Sequence, residues 1–184
     1  MYKSVCFFIF SLLMSAQLFA ASLYEMAEAA EDRGDFKKAQ ELFDKACRGN
    51  DRDACLALAG LYFTGGDGGE LQSFEKAGEI YNRLCEKNIA SACEGAAYCY
   101  SWGKNDEKQA LALHKKALDI AAKGCEKGNA SNCHELGTFY APADLKPKAF
   151  TVDRKKTLEL FDKACKMGRK EACTDYSELK EGGK

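Results

Sequence analysis

Residues 44–55 read DKACRGNDRDAC: two cysteines, Cys47 and Cys55, straddle a Gly49-Asn50 turn. The arrangement returns at 84–93 (LCEKNIASAC), 124–133 (GCEKGNASNC) and 164–173 (ACKMGRKEAC). Leading cysteines fall at 47, 85, 125 and 165, trailing ones at 55, 93, 133 and 173, so the period is 38 to 40 residues. A fixed period of this length marks a repeat architecture.

The flanking sequence keeps the same step. Upstream of each leading cysteine lie AQELFDKAC, AGEIYNRLC, ALDIAAKGC and TLELFDKAC. Ala39, Ala77, Ala117 and Thr157 share one register; Leu42, Ile80, Ile120 and Leu160 share the next; Phe43, Tyr81, Ala121 and Phe161 follow. Apolar residues three and four apart make one buried helix face, so each stretch is expected to be a helix, type B. Downstream of each trailing cysteine come CLALAGLY, CEGAAYCY, CHELGTFY and a looser CTDYSELK. Ala59, Ala97, Gly137 and Ser177 are small residues in one register, and Tyr62, Tyr100 and Tyr140 sit three further on. Small residues on one stripe let helices approach closely, which defines the type A helix. Turn-formers such as TGGDGG (64–69) and SWGKND (101–106) separate A from B.

Alternation of A and B predicts an all-α fold: an α/α solenoid superhelix of about four helical hairpins plus a C-terminal capping helix. The units expected are repeat 1 over 22–50, repeat 2 over 51–88, repeat 3 over 89–129, repeat 4 over 130–169 and the cap over 170–184. The first A helix, near LYEMAEAAEDRG (23–34), lacks a cysteine because no B helix precedes it.

If residues 47–55 formed one helix, the two cysteines would stand about 12 Å apart along its axis. A disulfide needs Cα atoms within about 6.8 Å, so the chain must reverse between them. Gly49-Asn50 and Gly128-Asn129 suit that reversal, as do Lys87-Asn88 and Gly168-Arg169 less emphatically. A zinc site favours cysteines two to four apart, and no CxxC occurs; His114 and His134 fall at unrelated repeat positions. A catalytic redox couple would also favour CxxC. The pairs therefore read as disulfide staples, Cys47–Cys55, Cys85–Cys93, Cys125–Cys133 and Cys165–Cys173, joining each B helix to the next A helix. Cys99 is left as a free thiol; Leu61, Phe139 and Leu179 share its register, so a buried, inert side chain is expected.

Oxidised cysteines imply an oxidising compartment. The N-terminus agrees: Lys3, then VCFFIFSLLMSAQLF, then small residues, read as a signal peptide over residues 1–20 cleaved after Ala20. An uncleaved N-terminal anchor is the competing reading. Cleavage removes Cys6 and leaves no membrane span, so the mature chain is expected in the periplasm or outside the cell. The 27 basic and 28 acidic residues nearly cancel, which argues against a nucleic-acid partner held by bulk charge.

The repeats resemble the Sel1-like family, relatives of the tetratricopeptide repeats, most closely in HELGTFY (134–140) and LFDKACKMG (160–168). With a C-x7-C pair in every unit, the chain is more similar still to the Helicobacter cysteine-rich, β-lactamase-like proteins. That resemblance implies an exported helical-repeat protein that binds penicillin and hydrolyses β-lactams slowly. No catalytic residue carries over from it.

Residue patterns supply no strong site for such chemistry. Three SxxK pairs occur, Ser73–Lys76, Ser101–Lys104 and Ser177–Lys180, without companion SDN or KTG elements. The catalytic residues are thus unknown, and no metal site and no cofactor are expected. TGGDGG lacks the Gly-Lys-Ser/Thr ending of a phosphate loop and reads as a turn. Trp102 is either a groove anchor or a helix-end cover, and His134 is expected to face solvent. The segment APADLKPKAFTVDRKK (141–156) is either a surface insertion or a specificity loop. Two functions follow. One is the β-lactamase-like activity of the resemblance, with a β-lactam or peptidoglycan-type ligand. The other is a non-catalytic scaffold that holds a protein or peptide partner in its concave groove.

Overall fold

Every joint between repeats is the same turn. The third residue after each leading cysteine is left-handed: Asn50 (φ 65°), Asn88 (φ 60°), Gly128 (φ 84°) and Gly168 (φ 94°). Its N–H donates to the leading cysteine's carbonyl at 2.9–3.1 Å. The next N–H reaches back five residues, from Asp51 to Ala46, Ile89 to Leu84, Asn129 to Gly124 and Arg169 to Ala164. These paired bonds close the helix C-terminus as a Schellman motif, for which Gly and Asn are the residues of least strain. The chain reverses there, and the following helix begins at once.

The computed structural model describes residues 23–142, 147, 148 and 150–182. The signal peptide expected over 1–20 lies outside these residues, as does part of the 141–156 segment. Among the described residues the structure is all-α, as the repeats require. The helices are α1 (23–31), α2 (Phe36–Arg48), α3 (Arg52–Thr64), α4 (Phe74–Glu86), α5 (Ala90–Tyr98), α6 (Glu107–Glu126), α7 (Ala130–Tyr140), α8 (Arg154–Lys166) and α9 (Lys170–Glu181). A 3-10 turn, Asp67–Gly69, interrupts TGGDGG, and a π-helical turn, Cys99–Gly103, prolongs α5.

Two compact units divide the chain, one up to Tyr81 and one from Asn82 onward. In the first, Ala27, Ala30, Ala39, Phe43, Ala46, Ala54 and Ala59 are fully buried. Tyr24 of α1 packs on Phe43 of α2, and Phe63 of α3 meets Phe74 of α4 edge-on at 5.3 Å. In the second unit α5 packs on α6, α6 on α7, α7 on α8 and α8 on α9, with α5 also touching α7. Gly137 shows why the A stripe is small: a Cβ there would stand 2.6 Å from Cδ1 of Phe161, inside any permitted contact. Thr157 occupies an alanine's register in α8 and is fully buried; its Oγ1 donates to the Asp153 carbonyl at 2.9 Å, so no polar atom is stranded.

Helix starts are also chemically marked. Asp35, Asp51, Asp106, Asn129 and Asp153 each accept a backbone N–H from the first turn of α2, α3, α6, α7 and α8.

Candidate functional site

The disulfides are structural features of the joints. Cα separations of 4.6, 4.6, 4.5 and 4.7 Å link Cys47–Cys55, Cys85–Cys93, Cys125–Cys133 and Cys165–Cys173. Trailing cysteines sit in the first turn of the next helix, where Cys55, Cys93 and Cys133 donate their N–H groups to the carbonyl of the residue just before it. Among the described residues no group of three metal-ligating side chains gathers. No described helix is long and apolar enough to cross a membrane.

The polar chemistry of the second unit collects around the π turn. Glu94, in the first half of α5, is 7% exposed, and its Oε2 lies 2.6 Å from Nδ1 of His114 on α6. His114 is 1% exposed and stacks flat on Phe150, with centroids 4.1 Å apart and planes 11° from parallel. Phe150 also meets Tyr98 at 5.3 Å, and Tyr98 meets Trp102 edge-on at 5.1 Å. Among the described residues, buried Nε2 of His114 has no hydrogen-bond partner. The pair thus ties α5 to α6, and the ring stack fastens the end of the α7–α8 connection over both. Burial, reinforced by the Glu94 charge, pushes the Tyr98 hydroxyl up to about 12.

Sequence reasoning did not single out Glu94 or assign His114 a role. Neither follows the repeat: Phe36, Phe74 and Arg154 hold the register of His114, and Leu56, His134 and Thr174 that of Glu94. The one available signal was a charged residue in an otherwise apolar helix stretch, ACEGAAY.

His134 corrects the sequence reading. It does not face solvent freely; its side chain is 16% exposed, its Nε2 is 2.5 Å from Asp175 Oδ2, and its ring lies 5.2 Å from Phe161. The turn position suggested exposure, but Asp175 of α9 and Phe161 of α8 cover it. Trp102 is 39% exposed beside Tyr98.

The three SxxK serines have other partners. Ser73 Oγ accepts from the Lys76 N–H at the start of α4, Ser101 Oγ donates to Glu107 Oε1 at 2.6 Å, and Ser177 Oγ donates to the Cys173 carbonyl. Their lysines lie over tyrosine rings instead: Lys76 over Tyr62 at 5.1 Å, Lys104 over Tyr100 at 4.7 Å and Lys180 over Tyr176 at 5.3 Å. Lys156 does the same over Tyr140 at 4.0 Å. A backbone bond underlies three of these pairs. Ser73, Asp106 and Asp153, which open the B helices, donate their N–H to the carbonyls of Tyr62, Tyr100 and Tyr140.

Cys99 begins the π turn and is 3% exposed. Burial pushes its thiol up to about 12, although Lys104 pulls it partway back. The folded protein at pH 8 is therefore expected to leave Ellman's reagent unreacted until denaturant is added. A thiol that shifts upward on folding, from the ordinary 9.0, loses stability to ionisation of the unfolded chain. Stability should hold below pH 9 and fall between pH 9 and 12, and less so in Cys99→Ala. Rapid labelling of the native protein at pH 8 would contradict this.

An open cleft of about 360 Å³ lies nearer the joints, lined by Asn88, Asp119, Ile120, Lys123, Gly124, Lys127 and Asn132. Gly124 is required there, because a Cβ would fall 2.4 Å from Cγ of Asn132.

No family model matches this chain, and no curated protein matches it. Among solved structures it is similar to a Sel1 repeat protein from Oxalobacter formigenes, at 19% identity and TM-score 0.43, over 83% of this chain and 75% of that one. It is also similar to a sel1 repeat protein from Klebsiella pneumoniae subsp. pneumoniae, at 18% identity and TM-score 0.44, over 88% and 93%. Immunity protein Pa5087 from Pseudomonas aeruginosa is similar at 16% identity and TM-score 0.36, over 80% and 81%. The fold described above rests on the chain's own helices and joints.

Proposed function

We propose that this chain is an exported scaffold whose disulfide-closed helical hairpins hold a rigid face toward a segment of another protein. The observation that carries the reading is the fourfold recurrence of one joint, a Schellman turn with a disulfide across it. Such a joint reverses the chain and bonds the end of each B helix covalently to the start of the next A helix. The repeats divide at 22–50, 51–88, 89–129 and 130–169, with 170–184 as the closing helix. Export through cleavage after Ala20 accords with the oxidised joints.

The β-lactam binding and slow hydrolysis implied by the resemblance rest on that resemblance alone. Each hydroxyl in SxxK spacing has a hydrogen-bond partner other than its lysine's side chain, and each lysine lies over a tyrosine.

The test is capture from a periplasmic or secreted extract by oxidised mature protein, followed by rebinding of the identified partner from purified components. Saturable rebinding that is lost when the bait is reduced is the expected result. Failure to rebind any captured protein overturns the scaffold. Nitrocefin turnover abolished by a single Ser→Ala change would replace it with an enzyme.

A further inference from the structure

Three lysines on the B helices of the second unit are ion-paired within their own helix: Lys123 with Asp119 and Lys166 with Asp162 at 2.6 Å, Lys155 with Glu159 at 4.0 Å. Lys104 and Lys156 are exposed, and among the described residues neither has a carboxylate within 4.0 Å. Each lies instead over the ring of a half-buried tyrosine, Tyr100 and Tyr140. The nearby carboxylates of Asp106 and Asp153 are engaged as helix caps, accepting the N–H groups of Gln109 and Lys156.

We infer that the Tyr100–Lys104 and Tyr140–Lys156 pairs form a docking surface for an acidic polypeptide segment. The inference rests on the scaffold reading and specifies the partner's chemistry.

Three physical points support it. A ring face attracts an ammonium by about 0.5–1 kcal/mol at an exposed site but leaves its charge and its hydrogen-bond donors available. The lysine is thereby partly ordered before a ligand arrives, which lowers the entropy cost of meeting a carboxylate. The tyrosines themselves are fixed by the Asp106 and Asp153 N–H bonds to their carbonyls, both at 2.9 Å, so each ring has a set position at the end of its helix.

Spacing favours a polypeptide. Tyr100 and Tyr140 occupy the same repeat register on successive A helices, and α5 touches α7 directly. Packed helix axes lie about 8–10 Å apart. An extended chain covers that distance in about three residues. Carboxylates on a partner at that interval would reach both ammonium groups, with the tyrosine rings beneath them supplying apolar contact. A nucleic acid or an anionic membrane held by bulk charge would call for a strongly basic chain, whereas this one has net charge −1.

The experiment uses the oxidised mature protein and two fluorescein-labelled dodecapeptides, one with glutamate at every third position and one with glutamine in its place. Anisotropy titrations are expected to show saturable binding of the glutamate peptide alone, weakening about tenfold between 50 and 300 mM salt. Lys104→Met and Lys156→Met should each weaken it at least fivefold and the double variant further. Lys166→Met, which removes a lysine already paired with Asp162, should leave it unchanged.

Equal binding of the glutamine peptide, no binding at millimolar protein, unaltered binding by the double variant, or an equal loss in Lys166→Met would each overturn the surface. So would tighter binding of polyphosphate or phosphatidylglycerol vesicles through the same lysines, which would assign them to a phosphate. The scaffold reading has a separate outcome. If the double variant still rebinds the captured partner with wild-type affinity, the surface is wrong and the scaffold stands; if nothing rebinds to the parent protein, both fail.

Discussion

Reduction of the four disulfides is expected to unfold the protein at ambient temperature. Each bridge closes a loop with a sequence separation of only 8. The chain-entropy argument assigns about 2.5 kcal/mol to such a loop and about 10 kcal/mol to four. Typical domains have only about 5–15 kcal/mol in total. Repeat units contact only their neighbours, so little remains to compensate. Far-UV circular dichroism with and without a phosphine reductant measures the effect. The single pair Cys85→Ser/Cys93→Ser, inside the second unit, should lower the melting temperature by about 5–10 °C. Full helicity and an unchanged transition after complete reduction would overturn the assignment of these bridges as staples.

The second large effect is expected at His114. In His114→Ala the Glu94 carboxylate keeps its burial and loses its partner, and Phe150 loses the ring on which it stacks. Removing one member of a buried pair costs about 3–5 kcal/mol, which is about 10 °C for a chain of this size. Glu94→Gln retains a hydrogen bond to Nδ1 and should cost about 1 kcal/mol. The cost of Glu94→Gln is the diagnostic result, since simple loss of packing would fall on His114→Ala alone and leave Glu94→Gln neutral. Chemical denaturation checks both; a His114→Ala variant within 1 kcal/mol of the parent would show the pair to be dispensable.

The joints were legible because their determinants are local. A left-handed residue three places after a cysteine, a capping side chain and a second cysteine eight places on all act within one turn of chain. The apolar registers were legible for the same reason: Ala39, Ala77 and Ala117 face inward because helical periodicity puts them there. Thr157 in that register was readable as core only by analogy, and its bond to Asp153 explains how a hydroxyl is tolerated.

Contacts that break the repeat were not legible. Glu94 and His114 stand 20 residues apart and His134 and Asp175 stand 41 apart, on different helices and at registers other repeats fill with unrelated residues. Spacing within one chain segment carries no information about such a pair. The tyrosine–lysine pairs were half visible. Tyr62, Tyr100 and Tyr140 recur in register, but Lys76 and Lys156 come from the following B helix and Lys104 directly follows the π turn. SxxK spacing drew notice to two of these lysines, Lys76 and Lys104, through their serines and not through the tyrosines beneath them.

By itself, then, the sequence determined the repeat length, the alternation of helices, the reversal at each joint and which cysteines meet. The reversals and cysteine pairings follow from backbone preferences and covalent reach over fewer than ten residues, and the helices and their period from apolar spacing that recurs along the chain. Tertiary structure alone decided that Glu94 and His114 share a buried hydrogen bond, that Phe150 closes over them, and which lysines keep a free charge. Those outcomes depend on which helix faces lie against each other, and packing selects among faces that local sequence leaves equivalent.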